Sequence, residues 1–177
     1  MVDSETPRRD DLQPADKLKA VLHTSHVLFK TLDTKQIWPH IAEELFTLFR
    51  TADRCCVFEY KAGDRSVHAV VTKTRRLTQA GASFIPAIVK KCVNSLESFL
   101  ITDALSNELD PSIAAFRVGS AMCVPVTGQD NWPLGVILLD TGGTKNFTLD
   151  DLKLMILVAA QASVAIENAR IHEWDIW

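Results

Sequence analysis

Long apolar runs, a basic excess and a dense set of cysteines are all missing from this sequence, and each absence removes a class of protein. The longest apolar stretch, LMILVAAQASVAIENA (154–169), is interrupted by Gln161 and Ser163. It falls short of the roughly 20 apolar residues that a membrane-spanning helix needs. The opening MVDSETPRRDDLQPADK has no apolar centre of the kind a secretory signal requires. With 19 Lys and Arg against 22 Asp and Glu, the net charge is −3. That balance offers no basic surface for nucleic acid or for an anionic membrane. Four cysteines in 177 residues are too few for a disulfide-stapled fold, so the cytoplasm is the expected compartment.

What is present suits one globular core: 47% apolar and 23% charged residues in a chain of single-domain length. Residues 1–14 are polar, carry Pro7 and Pro14, and read as a flexible leader. From Asp16, Leu18, Leu22, Ser25, Phe29 and Leu32 repeat at helical spacing. LDT (32–34) then breaks the chain and supplies capping side chains. A second helix to about Phe49 carries the stripe Ile37, Ile41, Leu45, Phe49, and Pro39 predicts an irregular first turn. The period next shifts toward two. RCCVFEY (54–60) and VHAVVTK (67–73) read as a hairpin around KAGDR. Residues 83–96 read as a helix capped by Ser83, with Ile85, Ile88, Cys92 and Leu96 on its buried side. SFLIT (98–102), AMCVPVT (121–127) and LGVILLD (134–140) read as three further strands, and 103–119 as a long connection. Pro125 predicts an edge or a bulge in its strand.

The closing helix starts at a capping box, Thr148 with Asp151, and Phe147 is placed to staple onto Leu152. It bears two stripes. Met155, Ala159, Ala162, Ile166 and Ala169 include small residues that permit close approach to a sheet. Leu154, Leu157, Gln161, Val164, Asn168 and Ile171 follow the spacing of a coiled-coil seam. One sheet face cannot cover both. The second stripe therefore packs on the first helix, through Leu18, Leu22 and Phe29, or on a second subunit.

These segments together resemble a known family. SAMCVPVTGQDNWPLGVILLDT followed by FTLDDLKLMILVAAQASVAIENARIHE is similar to the C-terminal half of a GAF domain. TLDTKQIWPHIAEELFTLF, ADRCCVFEY and LITDAL are similar to earlier GAF segments, and the leading helix resembles GAF domains that follow an FHA domain in bacterial signalling proteins. The resemblance implies an α+β, PAS-like GAF fold over residues 15–172, with a short tail at 173–177. Its antiparallel sheet of five or six strands would carry the N- and C-terminal helices on one face and a pocket roof on the other. The resemblance further implies a non-catalytic sensory module. It would be a homodimer through the terminal helices, answering to a small-molecule effector or partner domain and acting on an output or FHA domain. A ligand-free docking scaffold and a thiol-dependent methionine sulfoxide reductase are the alternatives.

Candidate pocket residues under that fold are Cys56, Phe58, Phe84, Ile88, Asp103, Phe116 and Met122. Asp103 is the one acid among them; an apolar core explains the others without a ligand. No catalytic constellation and no metal site is expected, and no cofactor can be named. His23 and His26 read as a solvated helix face, Cys92 as core, and KTRR (73–76) as a solvated strand end. The cyclic-nucleotide pattern of the family is matched only at Phe147 and Asp151. Leu152 stands where that pattern has Glu, and LysAsn (145–146) is in reversed order.

Overall fold

The computed structural model describes residues 33–75, 84–102, 119–142 and 146–175, with the backbone alone at 84–85 and 172–175. The expected leader, the helix bearing Leu18, Leu22 and Phe29, the Ser83 cap, Asp103 and Phe116 lie outside the described residues.

In chain order the elements are α1 (Thr34–Leu48), β1 (Arg54–Lys61), β2 (Ser66–Thr74), α2 (Phe84–Ser95), β3 (Phe99–Thr102), β4 (Ser120–Thr127), β5 (Pro133–Thr141) and α3 (Leu149–Asp175). The strands form one antiparallel sheet in the order β2-β1-β5-β4-β3. β5 is central, which its apolar sequence foretells: every residue from Leu134 to Thr141 is buried. Pro125 pairs with Val136, beyond the last β3–β4 pairing at Phe99 and Cys123, where β4 has become an edge. A proline is tolerated there because no neighbour on that side asks for its missing N–H.

Two apolar layers sandwich the sheet, and strand alternation deals residues between them. Cys55 and Val57 join α1 and α3 on one face, in a cluster with Trp38, Ile41, Leu45, Met155 and Ile166. Cys56 joins Ile88, Val89, Cys92, Ile101, Ala121, Cys123, Val136 and Leu138 under α2 on the other, with Phe58 packed against them. The helices start as their sequences dictate. Asp33 accepts the Lys35 amide at 2.9 Å. Thr148 and Asp151 exchange backbone-to-side-chain bonds of 2.9 and 3.2 Å, the reciprocal capping box. Phe147 is buried in the helix-side core, with an edge-on contact to the Phe49 ring at 6.1 Å. Pro39 is accommodated within α1 without ending it, and α3 continues to Asp175, past the boundary expected at 172.

One expectation for the strand end at 73–76 is corrected. Arg75 is not merely solvated: its guanidinium donates to the carbonyls of Phe46, Arg50 and Ala52 at 2.8, 2.6 and 3.1 Å. It also lies 4.5 Å from the centre of the Phe46 ring. Carbonyls in the last turn of a helix have no partner within it, and Arg75, just past β2, caps that of Phe46 together with two in the segment that follows α1.

Candidate functional site

The face of the sheet beneath α2 was expected to hold a pocket. Its centre is filled. Cys56, Ile88, Cys92, Ile101, Cys123 and Leu138 are buried side chain against side chain. Beside that packed centre, between α2 and the turn end of the β1–β2 hairpin, a cleft of about 400 Å³ remains. Phe58, Val67, Pro86, Val89 and Val93 supply its apolar walls, and Arg65, Ser66, Lys90 and Asn94 its polar rim.

The hairpin turn that shapes one end of the cleft is held by its own side chains. Asp64 accepts the Ser66 amide at 3.1 Å and lies 2.7 Å from His68 Nε2, which also meets the Ser66 hydroxyl at 2.9 Å. These bonds, the Ser66 hydroxyl first and His68 next, hold the Asp64 carboxyl below the usual carboxylate range. Arg65 sits within the turn at a φ of 52°, a left-handed conformation that a non-glycine residue adopts where neighbouring bonds fix it.

The expected pocket residues divide as follows. Cys56, Phe58 and Ile88 do share the α2 face, and Phe58 lines the cleft. Met122 does not belong there. It is buried in the cluster under α1 and α3, and Cys123 takes the α2 side instead. Sequence alternation puts neighbouring residues of β4 on opposite faces, but which face each meets depends on the register with β3 and β5. Phe84 falls among the residues described by backbone alone. Arg65, Val67, Lys90 and Val93 were missed, because nothing local marks a hairpin turn as the neighbour of a helix some twenty-five residues later.

On the opposite face, α3 separates its two stripes as expected. Met155, Ala159, Ala162, Ile166 and Ala169 are buried on the sheet and α1. Of the seam residues, Leu154 is a correction: it is drawn into the core. Leu157, Val164 and Ile171 remain 45, 45 and 60% exposed, with Ile156 beside them at 40% and Asn168 also exposed. Gln161 is half-buried. α3 is also tied to the β4–β5 turn, where Glu167 accepts the Gln129 amide at 2.7 Å and the Ser163 hydroxyl donates to the Thr127 carbonyl.

All four cysteines are free and buried. Burial, then the adjacent Cys56, pushes the Cys55 thiol from 9.0 up to about 12. Burial also raises Cys56, against the pull of Arg54. It raises Cys123 well above the ordinary range, with help from a hydrogen bond to Cys92. A thiol held protonated is a poor nucleophile, which fits Cys55, Cys56 and Cys123 to packing. An unfolded thiol releases its proton near pH 9, whereas native Cys55 holds its own toward pH 12. The unfolded chain is therefore favoured progressively as pH rises through that window. Thermal melts between pH 8 and 10.5 are expected to show falling stability, by up to about 1.4 kcal/mol per pH unit for each such thiol. Cys55→Ala should flatten this alkaline slope; an unchanged slope would mean that Cys55 ionises in the native fold.

Among the described residues, no group of three or more His, Cys, Asp or Glu is placed to hold a metal ion. No helix among them is long and apolar enough to cross a membrane.

A family profile described as GAF domain matches residues 33–168. No curated protein matches the chain. Among solved structures, the chain is similar to the GAF domain of a phosphoenolpyruvate-protein phosphotransferase from Coxiella burnetii. That match has 14% identity, a TM-score of 0.69, and covers 92% of this chain and 99% of that one. The corresponding GAF domain from Acinetobacter gives 12% identity and a TM-score of 0.68 over 88% and 95% of the two chains. Residues 122 to 287 of a methyl-accepting chemotaxis protein give 20% identity and a TM-score of 0.67 over 84% and 98%. At such identities the likeness lies in the fold.

Proposed function

The chain belongs to the GAF domain family, whose members are typically sensory or regulatory modules of signalling proteins, and from that premise we propose that it is a non-catalytic, cytoplasmic sensor acting as a homodimer. A small effector or a partner domain engages the α2 face. The sheet carries the change to α3, and α3 passes it to an attached output domain, for which an FHA-containing signalling protein is the favoured setting. A ligand shifts such an equilibrium only by binding one state better than the other. The β4–β5 turn supplies a route, because Glu167 and Ser163 join it directly to α3.

One observation carries this reading: α3 buries one flank on its own sheet and leaves Ile156, Leu157, Val164 and Ile171 in the open. An exposed apolar row along a helix of 27 residues is the surface that a second helix covers. The expected result in sedimentation equilibrium is a dimer that the double substitution Leu157→Glu, Val164→Glu converts to monomer. Placing like charges in a desolvated seam should weaken association by at least about a hundredfold. A wild-type chain that stays monomeric at high concentration would defeat the dimer.

A second reading, a docking scaffold without an effector, draws support from the packed centre beneath α2, where side chains fill the middle of the face. It differs from the first in one measurable respect: no small molecule should raise the melting temperature.

A further inference from the structure

The cleft beside α2 has a chemistry that narrows what it can hold. Its floor is apolar: Val89 is buried, and Phe58, Val67 and Val93 are half-buried around it. Its rim is cationic. Arg65 of the hairpin turn and Lys90 of α2 both line it, and Asn94 adds an amide. Among the described residues, no carboxylate lines the cleft. The nearest acid along the chain, Asp64, is already engaged with Ser66 and His68. Among the described residues neither Arg65 nor Lys90 has an ion-pair partner, whereas Lys73 pairs with Glu43 and Arg54 with Asp140.

We propose that this cleft binds a small amphiphilic carboxylate, an apolar body of ring size seated on Phe58, Val67, Val89 and Val93 with its anion held between Arg65 and Lys90. The inference rests on the sensory reading above and names the chemical class of its effector. A cleft of about 400 Å³ lies within the range of small-molecule sites. The apolar floor rewards burial of a hydrocarbon or aromatic body. The guanidinium offers a paired donor set for a carboxylate, and the ammonium adds a second positive charge. A cationic ligand meets two like charges there, and a neutral one gains no ionic contact from either. The turn is already braced by the bonds of Asp64, so the backbone that carries Arg65 is fixed beside the cleft before any ligand arrives.

The test uses three molecules of nearly one shape: 3-phenylpropionate, its neutral amide 3-phenylpropanamide, and the cation 3-phenylpropylamine. Each is titrated into the full chain while the valine and leucine methyl resonances are followed by NMR. The propionate is expected to shift Val67, Val89 and Val93 and to bind about tenfold more tightly than the amide, with the amine weakest. Arg65→Gln combined with Lys90→Gln, both exposed positions, should erase the preference for the anion and leave amide binding unchanged. If the amide or amine shifts the same valines as strongly as the acid does, the anionic class is overturned while the cleft stands as a binding site. Should none of the three shift these valines, or should the acid shift only Leu157 and Val164 on α3, both the class and the effector site fall.

Discussion

Gly135→Ala is expected to cost the domain about 3 kcal/mol or more of stability, read as a lower urea midpoint at unchanged slope. Gly135 lies in the central strand, paired with Glu59 on one side and Val126 on the other. A methyl group there would overlap the carbonyl oxygen of Phe58 and stand 2.9 Å from the Trp38 ring. Neither neighbour can withdraw cheaply. Phe58 is backbone in a paired strand, at the point where the β1–β2 register shifts. Trp38 is buried, and its indole N–H donates to Glu59 at 2.9 Å. The glycine is needed for close approach of β1 and α1 to β5, not for a special backbone angle. Because Phe58 also walls the cleft, the same variant should weaken ligand binding if it folds at all. An alanine variant within about 1 kcal/mol of wild type would show that the central strand is less tightly clasped than its geometry indicates.

The second large effect concerns Arg54 and Asp140, which face each other across β1 and β5. Arg54 donates twice to one oxygen of Asp140, at 2.9 and 2.7 Å. The Asp140 side chain is only 1% exposed. Its other oxygen, Oδ1, has no partner among the described residues. Burial raises the Asp140 carboxyl above its ordinary range, and the Arg54 charge and hydrogen bonds oppose that rise. Arg54→Met therefore leaves a buried carboxylate without its counter-ion, expected to cost about 3 to 5 kcal/mol at neutral pH.

The pH dependence gives this prediction its signature. Without Arg54 the native carboxyl rises further above the unfolded value near 4. The native state then binds more protons than the unfolded chain between those two values, so stability falls as pH rises through that window. The deficit of Arg54→Met relative to wild type should accordingly shrink as pH is lowered toward 4. A deficit independent of pH would assign the loss to packing of the arginine stem instead.

The elements were largely legible along the chain because each rests on local chemistry. The capping box at Thr148 and Asp151, the hairpin at 62–65 and the stripe Ile37, Ile41, Leu45, Phe49 all depend on residues within a few positions of one another. The candidate site was legible only in part. Cys56, Phe58 and Ile88 were placed on the correct face through a period of two and a helical stripe. Met122 was not, since alternation along β4 specifies two faces without saying which of them meets α2. The cation of Arg75 looked free for a similar reason: the carbonyls it caps belong to the last turn of α1 and the segment just after it, twenty-three or more residues earlier.

By itself, then, the order of residues determined which segments become helix or strand, and which side chains share a face within each. It also determined that α3 carries more apolar surface than one sheet hides. Tertiary structure alone decided which faces meet: Arg65 and Lys90 at one cleft, Glu167 on the β4–β5 turn, and Arg54 against Asp140. The division has a physical cause. Hydrogen-bond and side-chain periods act over a few residues and are written in the sequence, whereas strand register and layer packing are settled by contacts between segments far apart along it.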